Sequence, residues 1–169
     1  MVFTVTTKTT LDTAALQSFL RTLNDACHTT VAVGVLNGDK ETRDKAEKNE
    51  IGGWDTYDRG PYEGEKVLVP PRPFIGSSIE HHAEEIRDVA GESLDFEKDP
   101  NLVHALTAVG KKVKEIQEHT LESNGEGVPN WKKHNTTRTI ETKNGLDKPL
   151  FTEAGTTFPI DYELQKRSA

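Results

Sequence analysis

The residues best placed for chemistry lie between Glu80 and Glu85, in the run EHHAEE. On a helix, His81 and Glu85 stand four residues apart, as do Glu80 and Glu84, the spacing of two metal ligands on one face. A hydrolytic metal site needs a third ligand, and no Asp or His elsewhere in the chain is identifiable as one. Ion pairs at the same spacing on a solvated helix face account for the pattern more simply. Cys27 has His28 beside it, but neighbours at a helix end point apart, and no further group is identifiable to orient the imidazole as a nucleophile's base. Cys27 therefore reads as a small buried residue at a helix end. As the only cysteine it excludes an intramolecular disulfide and a multi-cysteine zinc site. No G-x-S-x-G occurs, and the glycines of GVLNGDK and NGEGVPN lack the spacing and the Lys-Ser/Thr of a phosphate loop. His104, His119 and His134 are isolated. The residue types predict no catalysis, no metal and no cofactor.

A different feature stands out just before that helix. Pro70, Pro71, Arg72, Pro73 and Phe74 form a run in which three prolines hold the chain extended. Such a run suits either a polyproline ligand for an aromatic groove or a rigid corner. Because it passes directly into an amphipathic stretch, the corner is the better account, with Phe74 anchoring the start of the helix. Ile75, Ile79, His82 or Ala83, Ile86, Val89 and Ala90 recur at helical spacing and predict a helix over 74–93. After FEKDP, with Asp99 as cap and Pro100 at the first helical position, Leu102, Leu106, Val109, Val113 and Ile116 predict a second helix to about Leu121. Two helices of this length joined by a short break are expected to pack antiparallel.

Other elements follow from pattern. Residues 1–9 alternate in β-branched residues and predict an extended arm or strand. Leu16, Phe19, Leu20 and Leu23 place one apolar stripe on a helix over 11–26, with Thr10 or Asp12 as its cap. Val31, Val33 and Val35 predict a strand closed by Asn37-Gly38. DKETRDKAEKNEIGG predicts a short surface helix in which only Ala46 and Ile51 are buriable, stopped at Gly52 and Gly53. Residues 53–70, with Trp54, Tyr57 and Tyr62, and residues 124–158 read as long loops, the latter with a hairpin strand around Ile140. Ile160, Tyr162 and Leu164 predict a closing strand. The expected fold is one α+β domain over 1–169: a small, mostly antiparallel sheet packed by two long helices and one or two shorter ones, with long loops and an N-terminal arm.

The composition limits the partners. Hydrophobic residues make up 33% and mean hydropathy is −0.66, low for a compact enzyme, so arms, loops or neighbouring subunits are expected to complete the core. A net charge of −7 argues against a phosphate-binding surface, and Lys111, Lys112 and Lys114 read as a solvated helix face. No apolar run approaches the roughly 20 residues that span a bilayer, and MVFTVTTKTT lacks the features of a signal peptide. The expectation is a protein that does not cross or enter a membrane.

The order of these features resembles a family. A VAVGV strand, KAEKNEIGG, a loop to VPPRPFI, two helices, GVPNW and KPLFTEAG before a last strand are similar to the virion-morphogenesis and tail-completion proteins of tailed bacteriophages, typified by the phage Mu member. The matching positions are Val33, Gly34, Ala46, Asn49, Glu50, Gly52, Pro70 to Phe74, Pro129, Lys143, Pro149, Leu150 and Gly155, across residues 15–165. TEAGTTF departs from the family's Asp-Thr-Gly element. The resemblance implies a non-catalytic virion protein at the head–tail junction, a tail-completion, terminator or neck subunit assembled in the bacterial host cytoplasm. Its implied partners are copies of itself in a ring, with a hexamer among the candidates, other neck and tail proteins, and genomic DNA passing through the channel without sequence-specific binding. Trp54, Tyr57 and Tyr62 are the candidate inter-subunit loop. The alternative is a small adaptor that binds a partner through its proline corner and exposed loop.

Overall fold

A computed structural model describes residues 13–94, 102–126, 128–129, 131–151 and 157–166. The expected arm over 1–9, the caps at Thr10, Asp12 and Asp99, and Gly155 lie outside the described residues. In chain order the elements are α1 (Thr13–Cys27), β1 (Thr29–Gly34), α2 (Lys40–Ile51), β2 (Gly53–Thr56), β3 (Lys66–Val69), α3 (Gly76–His81), α4 (Ala83–Glu92), α5 (Leu102–Glu122), α6 (Thr137–Thr142) and β4 (Asp161–Lys166). This is the expected α+β class with antiparallel pairing, but the strands form two separate ribbons. β1 pairs with β4 from Thr29↔Lys166 to Gly34↔Asp161, and β2 pairs with β3 from Gly53↔Val69 to Thr56↔Lys66.

Helix α5 is the element against which much of the rest packs: α1, α3, α4 and the β1–β4 ribbon all touch it. Its buried residues Val113, Ile116, Gln117, Thr120 and Leu121 recur at three- and four-residue spacing, as one face of a 3.6-residue period must. Gly110 sits where the helix meets the ribbon. A Cβ there would lie 2.6 Å from Cδ2 of Tyr162 and 3.0 Å from Cγ1 of Val31, so only glycine permits this approach. The remaining core gathers Ala46, Phe74, Leu121, Val128, Trp131, Leu150 and Ile160, with Val33, Val35, Ile75 and Phe158 against it.

Three expectations change here. The helix expected over 74–93 is interrupted at His82 (φ −105°, ψ 21°), which separates α3 from α4. Backbone bonds from His82 N to Ser78 O and from Ile86 N to His82 O run through the break, so the interruption is local. The segment 53–70, expected as a loop, contains the β2–β3 hairpin. Within 124–158, the residues around Ile140 form helix α6 and not a strand. Thr136 caps α6 by accepting from Thr139 N, and the Asn144-Gly145 pair ends it. Asn144 and Gly145 both have positive φ, and Gly145 N donates back to Ile140 O, a glycine helix stop.

Candidate functional site

Two separated sequence segments, Asn49–Gly52 and Pro70–Phe74, meet in one packed corner. The Arg72 N–H donates to Asn49 O at 2.6 Å. Glu50 reaches the start of α3, where its Oε2 accepts from Ile75 N and its Oε1 from Gly76 N, both at 2.9 Å. Those N–H groups have no partner within the helix, and an anionic acceptor there satisfies both hydrogen bonding and the helix dipole. Gly52 ends α2 with φ 75° and ψ 179°, a conformation open essentially to glycine alone. A Cβ on Gly52 would stand 2.9 Å from both N and Cδ of Pro71. Phe74, fully buried, stacks on Phe158 with ring centroids 5.8 Å apart. Pro71 and Gly52 thus pack closely only because Gly52 lacks a Cβ, and Phe74 pins the corner to the core.

Arg72 lies at the centre of this corner, yet only 4% of it is exposed. Its Nε donates to Lys132 O at 3.0 Å and its Nη2 to His134 O at 3.3 Å. Among the described residues no carboxylate lies within ion-pair distance of it, and burial pulls the guanidinium below the usual arginine range, though an arginine keeps its charge. The accepting segment is held from the other side by Asp147. Its Oδ2 meets His134 Nδ1 at 2.7 Å and its Oδ1 accepts from Asn135 N at 2.8 Å. These two contacts, His134 first, hold the Asp147 carboxyl below its ordinary range.

The remaining expected positions divide. Val33, Ala46 and Leu150 pack in or against the core, while Gly34 and Pro149 are buried. Leu150 has a φ of 65°. Lys143 Nζ donates to Phe151 O, and Pro129 is exposed.

Of the three aromatics expected in an inter-subunit loop, only Trp54 is exposed (68%). Tyr57 is buried, with its hydroxyl 3.2 Å from Thr139 Oγ1. Tyr62 O–H donates to Glu141, and Arg138 lies over its ring and pairs with Glu65. Both tyrosines therefore clamp the hairpin to α6. Sequence reading missed α6 as their partner, because Thr137 and Thr139 about Ile140 read as strand residues.

Strand alternation gives the hairpin two faces. Trp54, Thr56, Lys66 and Leu68 are exposed, and Gly53, Asp55, Val67 and Val69 turn inward. Trp54 and Leu68 are direct cross-strand partners, and exposed Ile51 precedes them. Beside the hairpin lies a cavity of about 260 Å³, lined by Val67, Val69 and Leu150 together with Arg72, Thr136 and Thr139.

Of the residues first considered for chemistry, Glu85 is engaged in ion pairs with Lys112 and His82, and these partners hold its carboxyl below the usual range, Lys112 contributing most. Lys114 lies near Glu118 and Asp161. Cys27 is exposed, not buried as expected, because α1 ends there and the chain turns directly into β1. Among the described residues no group of three or more His, Cys, Asp or Glu is placed to hold a metal, and no helix is long and apolar enough to cross a membrane. Compared with known proteins, the chain matches no family model, no curated protein and no solved structure.

Proposed function

We propose that this protein is a non-catalytic structural subunit of a tailed-bacteriophage virion, acting at the head–tail junction in tail completion or the neck, and working as a closed oligomer around the DNA channel. The observation that carries the reading is the convergence of the two segments that bear the resemblance. Asn49, Glu50 and Gly52 are joined to Pro70–Phe74 by backbone, carboxylate and steric contacts, as residues of one structural element must be. The exposed strip of Ile51, Trp54 and Leu68 on the adjacent hairpin is the surface assigned to subunit contact, since aromatic and aliphatic side chains of this kind form the centres of interfaces. The net charge of −7 suits a channel wall past which DNA must slide.

Negative-stain electron microscopy of the purified protein at high concentration, with its solution mass alongside, tests this. The expected outcome is a ring with a central hole wide enough for duplex DNA, and dispersal to monomer on combining Trp54→Glu with Leu68→Glu. A monomer at every concentration, indifferent to those substitutions, replaces this reading with the adaptor.

A further inference from the structure

We propose that the cavity beside the β2–β3 hairpin is a binding site for a carboxylate carried on an apolar stem. Three observations converge on it. The first is Arg72, whose side-on edge, Nε and Nη2, is spent on the carbonyls of Lys132 and His134. Among the described residues its Nη1 makes no hydrogen bond, and the residue lines the cavity. A buried guanidinium with no counter-charge among the described residues is costly, and its free end-on edge is the fork that receives a carboxylate through two parallel hydrogen bonds.

The second is the sign of the walls. Lys45, Arg59, Arg72 and Lys143 line the cavity against Asp55 and Asp58, a net charge of +2 on a chain whose total is −7. The third is shape. Val67, Val69, Leu150 and Phe151 supply apolar wall for a stem among mostly polar lining residues, and about 260 Å³ accommodates an acid with a short aliphatic chain or the terminal residue of a peptide. The nearby Asp55 and Asp58 carboxylates weigh against a dianionic phosphate. The site exists in the single chain and stands whether or not the protein assembles.

The test is a titration of the ¹⁵N-labelled full-length protein with hexanoate, followed by NMR at the arginine Nε–H signals. Hexanoate is expected to shift the Arg72 signal saturably. Hexanol, with the same stem and no charge, is expected to bind at least about tenfold more weakly. Arg72→Gln is expected to bring hexanoate down to the level of hexanol. Should that variant not fold, Val67→Trp fills the cavity while leaving Arg72 in place, and is expected to abolish the shift. N-acetyl-Gly-Val-Leu with a free C-terminal carboxylate, compared with its amide, identifies the source. Tighter binding than hexanoate assigns a peptide terminus, and weaker binding assigns a small acid. An Arg72 signal unmoved by millimolar hexanoate, or equal binding of hexanoate and hexanol, overturns the proposal.

Discussion

Gln117 presents the sharpest energetic conflict at the scale of single residues. It is fully buried on α5, and among the described residues neither its Nε2 nor its Oε1 finds a hydrogen-bond partner. A buried amide left unpaired costs about 1–3 kcal/mol, whereas a leucine of similar size adds apolar contact at the same place. Gln117→Leu is therefore expected to stabilise the protein by about 1–2 kcal/mol, raising the thermal midpoint roughly 2–4 °C per kcal/mol. Calorimetry that finds the variant less stable would show that the amide has a partner in solution. Nothing in the sequence marks Gln117 as buried. It follows Ile116 at the edge of the apolar stripe, where a half-turn's difference in packing decides between core and solvent. Arg72 poses the same problem in reverse, because an arginine between prolines looks like surface until the 131–135 segment folds over it.

The corner is where the element scale has its clearest test. Gly52 must hold φ 75° while Pro71 presses against the position of its missing Cβ. Gly52→Ala is expected to cost about 1–3 kcal/mol from the backbone conformation alone, and more from the contact with Pro71. Urea denaturation measures the loss; a midpoint equal to the parent's would mean that the corner is not rigid. Helix α2 itself was legible, from Asp39, whose side chain accepts from Thr42 N, to the glycine stop. Helix α6 was not, because threonines at alternate positions favour a strand and its Asn-Gly stop is also a hairpin signal. What tips the balance is tertiary. Tyr57, Tyr62 and Glu65 on the hairpin engage Thr139, Glu141 and Arg138, residues three and two apart that only a helical turn presents together. Helix α1 was also legible in the sequence, yet Phe19, Leu20 and Leu23 of its apolar stripe each remain more than a third exposed.

For the molecule as a whole, pH dependence draws its scattered carboxylates into one observable. Asp39, bonded to Thr42, Asp58, bonded to Lys45, Glu85, bonded to Lys112, and Asp147, bonded to His134, are all held below the ordinary carboxylate range. Each binds its proton less tightly when folded than when unfolded. Each therefore favours the folded state above the unfolded carboxylate values near about 4. That contribution fades as pH falls through the depressed folded values. Stability is expected to decline on acidification below about pH 4–5, and the double variant Asp58→Asn, Asp147→Asn to decline less steeply. Urea midpoints measured from pH 7 to 3 that fall in parallel for both proteins contradict this. From the sequence alone came the α+β class, α1, α2, α5, β1, β4 and the proline corner. Each rests on periodicity, caps or φ restriction, forces that act within a few residues. Only the tertiary structure decided that the strands form two ribbons, that Glu50 caps α3 across 25 residues, and that Arg72 is buried on carbonyls 60 and 62 residues away. A polar group has many possible partners along the chain, and which one it meets is set by how the apolar faces pack.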